Sequence, residues 1–132
     1  HITSNETIGG VRFGNFPEVG VPLVADMSSD FLSRNIEWEK FDLVYGGAQK
    51  NLGPAGLAVV IVRRDALNKH ARDLPTYLDY EFHDKNDSLG NTPPMFSIYV
   101  MGKVLNWMER NGGVQEFEKR ADIRSSLLYD VR

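Results

Sequence analysis

Residues 41–62 read Phe41-Asp-Leu-Val-Tyr-Gly-Gly-Ala-Gln-Lys-Asn-Leu-Gly-Pro-Ala-Gly-Leu-Ala-Val-Val-Ile-Val62. Two runs within it have strand character. Phe41 to Tyr45 is a short apolar run that ends at Gly46 and Gly47, and Leu57 to Val62 is rich in β-branched residues and bounded by Gly56 and Arg63. The stretch between them is therefore a loop, and Lys50 sits in it. A lysine ordinarily takes a solvated face where its long stem moves freely. Here Gly46 and Gly47 let the backbone approach a ligand closely, and Gly53, Pro54 and Gly56 fix a turn. A held amine is one reading of Lys50; a solvated loop lysine is the plainer one.

Upstream, Val21 to Asp26 is a continuous apolar run ending in an acid, which suits a parallel core strand buried on both faces. Ser28 and Ser29 open the connection to the next strand. Downstream, the pattern predicts a short helical turn over Asp65 to Ala71 and a long polar loop from Asp79 to Asn91. Thr92-Pro93-Pro94 then predicts a helix start, with Thr92 as N-cap and Ile98, Met101, Leu105 and Met108 on one face, stopped by Gly112-Gly113. Met101, Trp107 and Met108 are expected in packing. A last helix runs from about Val114 to Val131-Arg132, with no stop signal. Strands followed by helical segments indicate the α/β class.

Composition narrows the function classes. The 132 residues suit one domain or a piece of one, and 42% hydrophobic with 25% charged residues is ordinary for a globular protein. No run nears the roughly 18 apolar residues of a membrane span, and the first residues lack the pattern of a signal peptide, so a cytoplasmic setting is expected. The chain has no cysteine, and its three histidines, His1, His70 and His83, are scattered, which argues against a metal site. His70 and His83 are expected at the surface. A net charge of −3 with interleaved signs lacks the footprint of a nucleic-acid binder, so small-molecule or protein partners are favoured. Arg63 and Arg64 mark the solvated end of their strand, or an anion site.

A lysine becomes a covalent catalyst by forming a Schiff base with a carbonyl, which requires a neutral amine at a defined position. If the carbonyl belongs to pyridoxal phosphate, an anion must stand beside the pyridine nitrogen, since the protonated ring is the electron sink. Asp26, at the end of a buried strand, is a candidate, because an unpaired buried carboxylate is costly. The alternative is a strand-end cap bonded to nearby backbone N–H groups. A phosphate needs a cradle of hydroxyls, amides or helix N-termini; Ser28, Gln49, Asn91 and Thr92 qualify by type. Asn91 and Thr92 equally make a plain turn and N-cap.

Asp26-Met-Ser-Ser, Tyr45-Gly-Gly-Ala-Gln-Lys50-Asn-Leu-Gly-Pro-Ala-Gly and Asp87-Ser-Leu-Gly-Asn-Thr92-Pro-Pro together resemble the phosphoserine aminotransferase family, pyridoxal-phosphate enzymes of fold type I. The likeness runs from His1-Ile-Thr-Ser-Asn-Glu-Thr through the Trp107 helix and Gly112-Gly113. It implies a mixed, mostly parallel sheet with flanking helices, part of the large cofactor-binding domain, and a chain truncated at both ends relative to the family. It implies that Lys50 carries the cofactor as a Schiff base, Asp26 pairs with the pyridine nitrogen, and Thr7 bonds the ring hydroxyl oxygen. Gln49 would contact the phosphate from the same subunit, Ser28 the same region, and Asn91 with Thr92 the phosphate held by the other subunit of a homodimer. The implied reaction, in serine biosynthesis, moves the amine of glutamate to 3-phosphohydroxypyruvate, giving 2-oxoglutarate and O-phosphoserine, with Lys50 as base and acid. The substrate-binding arginines and the aromatic residue that stacks on the cofactor lie outside the segment in the family. Two alternatives stand beside this reading: a folded but catalytically silent segment without cofactor, and another fold-type I transferase or lyase.

Overall fold

The computed structural model describes residues 1–67, 69 and 72–131. Its centre is a four-stranded sheet in the order β1-β4-β5-β6, where β1 is Ile2–Thr3, β4 Val24–Asp26, β5 Leu43–Gly47 and β6 Ala58–Val62. β4 lies between β1 and β5 and is parallel to both, with Asp26 opposite Thr3 on one side and Tyr45 on the other. β6 runs antiparallel to β5, pairing Leu43 with Val62 and Gly47 with Ala58. The reversal follows from the loop 48–57, since a parallel crossover takes about a dozen residues or more. A second, two-stranded sheet pairs β2 (Asn5–Glu6) with β3 (Val11–Arg12) as a hairpin.

The strand expected over 21–26 is shorter than its apolar run. Val21 is exposed, and Pro22 has no N–H to give to a ladder. Regular pairing starts at Val24, and Leu23 instead uses its backbone N–H on the Asp42 carboxylate at 2.8 Å. The core gathers under the strand ends: Leu23, Ala25, Met27, Phe31, Val44, Ala48 and Leu52 are buried together with Phe16 and Phe41, whose rings meet edge to face at 4.7 Å.

Downstream, the sequence and the structure differ in places. The expected loop 79–91 contains α1, Tyr80–Lys85, capped by Asp79 Oδ1 accepting the Glu81 N–H at 2.9 Å. Thr92 is not an N-cap: α2 runs Met95–Arg110 with Pro94 at its N-cap and no side-chain cap bond. Consecutive prolines push Thr92 and Pro93 out of the helical region, so the helix opens only beyond them. On α2, Met108 is buried and Met101 packs on the core, whereas Ile98 and Leu105 stay largely exposed. Trp107 remains over half exposed, and its ring meets that of Phe117 on α3 (Gly113–Tyr129) at 5.1 Å. Gly112, at φ 99°, separates the two helices. A single 3-10 turn at Arg64–Ala66 covers the start of the turn expected over 65–71; His70 and Ala71 lie outside the described residues. His83 lies at the surface, partly covered, and its Nε2 is 3.1 Å from the Tyr77 carbonyl. Arg63 is held by Asp65 at the solvated end of β6. No helix among the described residues is long and apolar enough to cross a membrane.

Candidate active site

Because β1, β4 and β5 are parallel, their carboxyl ends share one edge of the sheet, the place where open α/β sheets bind ligands. The β1 strand leads into the hairpin that carries Thr7, β4 ends on Asp26, and β5 runs out into Ala48-Gln49-Lys50. Three segments distant in sequence therefore deliver their polar residues to one rim.

The Lys50 ammonium donates to Thr7 Oγ1 at 2.5 Å, 43 residues away in sequence. Thr7 sits in the tight turn between β2 and β3. Glu6 Oε1 accepts the Ile8 N–H at 3.1 Å, Glu6 Oε2 accepts the Gly9 N–H, and the Glu6 carbonyl accepts the Gly10 N–H at 3.1 Å. Gly10 takes φ 69°, which the turn requires and which a side chain would resist. The Gly9 and Ile8 amides hold the Glu6 carboxyl below its ordinary value, and the Lys50 charge adds to them against a small opposing effect of burial.

Asp26 is half-buried, and its Oδ1 accepts the Ser28 N–H at 2.8 Å, which is the strand-end cap of the plainer reading. Ser28 Oγ in turn accepts the Gly47 N–H at 3.1 Å, and the Met27 N–H donates to the Tyr45 carbonyl at 2.8 Å. The turns after β4 and β5 are thus stitched together. Ser29 joins the same turn to the hairpin: Asn5 Nδ2 donates to Ser29 Oγ at 2.8 Å, and Ser29 Oγ donates to the Asn5 carbonyl at 2.8 Å. Asn51, next to Lys50, donates from Nδ2 to the Phe31 carbonyl at 3.0 Å.

Beneath this turn lies a buried ion pair. Asp30 is 1% exposed and Arg34 7%. Arg34 Nη2 donates to Asp30 Oδ2 at 2.7 Å and Nε to Oδ1 at 3.2 Å, Ser33 Oγ donates to Oδ1 at 2.7 Å, and the guanidinium lies 4.9 Å from the Phe16 ring centre. Burial pushes the Asp30 carboxyl up, but the bonds from Arg34 and Ser33 outweigh it and leave the group below its ordinary value.

Of the residues singled out from sequence, the structure brings Thr7, Asp26, Ser28, Gln49 and Lys50 to this rim. Gln49 is exposed, and its amide folds back against Gly47. Asn91 and Thr92 are exposed and stand elsewhere: Asn91 faces a hollow beside Gly56, Leu57 and Ala58 at the start of β6, and its Nδ2 donates weakly to the Thr92 carbonyl at 3.4 Å. Glu6, Asn5, Ser29, Asn51, Asp30 and Arg34 were not anticipated. Only the last two carried a local signal, opposite charges four residues apart.

Comparison with known proteins fits this arrangement. The aminotransferase class-V family model matches residues 1–131. A phosphoserine aminotransferase of Lysinibacillus sphaericus is 54% identical over 132 residues, covering 99% of this chain and 36% of that protein. Its counterpart in Drosophila melanogaster is 57% identical over 129 residues, 96% of this chain and 35% of that protein. Among solved structures, phosphoserine aminotransferase from Bacillus circulans subsp. alkalophilus superposes with a TM-score of 0.91 at 51% identity, over 97% of this chain and 36% of that one. The pyridoxal-phosphate-bound enzyme of Trichomonas vaginalis gives a TM-score of 0.91 at 41% identity, over 97% of this chain and 36% of that one. The chain spans roughly a third of the length of the curated relatives it matches.

Proposed function

We propose, given that this chain belongs to the aminotransferase class-V family, that it forms part of a large cofactor-binding domain that holds pyridoxal phosphate on Lys50, and that it serves as a phosphoserine aminotransferase. The observation that carries the reading is the Lys50 amine held on the Thr7 hydroxyl at the same sheet edge as the Asp26 carboxylate. The donor set suits the cofactor in kind: an amine for its aldehyde, a carboxylate for its ring nitrogen, and a hydroxyl for its ring oxygen. When bound, pyridoxal phosphate supplies an aldehyde for condensation and a cationic ring that draws electrons from the amino acid.

The chain's own residues have distinct tasks in this scheme. Lys50 must lose a proton before it attacks, and Thr7, by holding one of its N–H bonds, fixes where the freed lone pair points. With the cofactor's aldehyde engaged by a substrate amine, the Lys50 amine would be free to carry protons to and from the α-carbon as base and acid. Asp26 stays fixed by the Ser28 N–H, so its charge would meet the ring nitrogen without having to reorient. Ser28 has given a lone pair to Gly47 and keeps its O–H to donate toward the phosphate region, where Gln49 also contributes. Asn91 and Thr92, exposed and apart from Lys50, serve the phosphate bound by the second subunit of a homodimer. Glutamate and 3-phosphohydroxypyruvate are the substrates, in a cytoplasmic setting; the high identity to phosphoserine aminotransferases supports this choice over other fold-type I enzymes.

Incubation with pyridoxal phosphate, borohydride reduction and peptide mass analysis test the reading. The expected result is cofactor mass on the Lys50 peptide and an absorption band that Lys50→Ala removes while the protein stays folded. Folded protein without label at Lys50 would favour the cofactor-free alternative.

A further inference from the structure

We infer that Glu6 is a positioning residue for Lys50: its carboxylate, by gripping two successive backbone N–H groups, holds the hairpin turn that presents the Thr7 hydroxyl to the amine. The inference rests on the proposed role of Lys50 and adds a residue to it.

Glu6 is an exposed acid on a two-residue strand, and its ordinary reading is solvated surface charge. Its bonds say otherwise. Both carboxylate oxygens turn back onto the chain, one to Ile8 and one to Gly9, while its carbonyl takes the Gly10 amide. Three successive N–H groups thus converge on a single residue, and hydrogen bonds to an ionised acceptor are the stronger kind. Gly9 leaves room for the grip, since a β-carbon there would come within 2.8 Å of Glu6 Oε2. Thr7 is enclosed by this turn. Its backbone is fixed on one side by the Glu6–Val11 ladder pair and on the other by the gripped Ile8 and Gly9 amides. The side chain that emerges meets Lys50. The turn needs such a clamp because a hairpin of two-residue strands has little stability of its own. Ile8, at the tip, is 96% exposed and adds no burial to hold it.

The consequence concerns the direction of the amine more than the stability of the fold. Without the carboxylate, the turn opens, Thr7 leaves Lys50, and the amine samples the many rotamers of a free lysine. Its condensation with an aldehyde, which forms a C=N bond and releases water, then slows because fewer encounters are aligned.

The test uses the full chain freed of cofactor, with pyridoxal as the probe and borohydride to fix the product. Label at Lys50 is measured relative to label at exposed Lys103 and Lys119 in the same digest. The unsubstituted protein is expected to favour Lys50. Glu6→Ala, which removes both carboxylate hydrogen bonds, should lower that preference about tenfold or more, and Glu6→Gln, which keeps one acceptor, should lose less. The label at Lys103 and Lys119 should not change, which a general loss of structure would not reproduce. If Glu6→Ala unfolds, the Glu6→Gln ratio decides. An unchanged Lys50 preference in folded variants overturns the role of Glu6 and leaves the proposed function standing. No preference in the unsubstituted protein overturns both.

Discussion

Phe31 and Gly46 are in contact so close that a β-carbon on Gly46 would lie 2.7 Å from Phe31 Cε2 and 2.9 Å from the Ser28 Cα. Phe31 is buried and the other obstacle is backbone, so neither can swing aside. Gly46→Ala should therefore cost about 1–3 kcal/mol by overpacking, seen as a lower denaturant midpoint at unchanged slope. It should also weaken cofactor retention, because the displaced turn carries Asp26 and Ser28.

Asp26 allows structure to be separated from chemistry. Asp26→Asn keeps an oxygen for the Ser28 N–H and should leave stability within about 1 kcal/mol. The charge is lost, and turnover in a transamination assay should fall by about a hundredfold or more, the scale of removing one fixed electrostatic partner. Near-normal turnover would sink the role assigned to this carboxylate.

The Asp30–Arg34 pair makes a sharper stability prediction. Arg34→Ala leaves a carboxylate that is 1% exposed without its cation and should cost about 3–5 kcal/mol. Replacing both, as Asp30→Leu with Arg34→Met, should cost much less, since neither charge is then stranded. Urea unfolding of the two single variants and the double variant gives the coupling directly.

Acid should expose the same pair. The Asp30 carboxyl is held below its ordinary value of 3.8, so the unfolded chain takes up its proton first on the way down in pH. Its contribution is present in full above 3.8, declines below it, and is gone once pH has fallen through the lower folded value. The unfolding midpoint measured from pH 6 to pH 2 should drop more steeply in the unsubstituted protein than in Asp30→Asn.

The sequence revealed the parts of this fold that have a repeating pattern. β5 stands out as a short apolar run ending at Gly46 and Gly47, β6 as a β-branched run between Gly56 and Arg63, and α2 and α3 meet at the glycine pair. The hairpin Asn5–Arg12 has strands of two residues each, too short for any alternation to register. Helix α1 has no apolar stripe, and only the Asp79 cap followed by Glu81 in the first turn announced it. Thr92 does not cap α2 because the two prolines that follow it outrank a good capping residue. For the site, spacing singled out Lys50 and Asp26, but no local pattern could join Lys50 to Thr7 across 43 residues. The family resemblance brings in Thr7 as well, but for a bond to the cofactor's ring hydroxyl oxygen, and the bond to Lys50 is seen only in the folded chain. The supporting bonds of Glu6, Asn5, Ser29 and Asn51 depend on how distant turns meet and left no trace in the order of residues.

Ser29 has one oxygen that gives its proton to the Asn5 carbonyl while taking one from the Asn5 amide. Few side chains can both give and receive at one small atom, so threonine is the natural substitute, alanine breaks both links at once, and asparagine would have to split the two duties between two atoms. A change of a single oxygen at this half-buried serine thus reaches the hairpin and the strand end together, and the tolerance of position 29 is set by chemistry instead of by space.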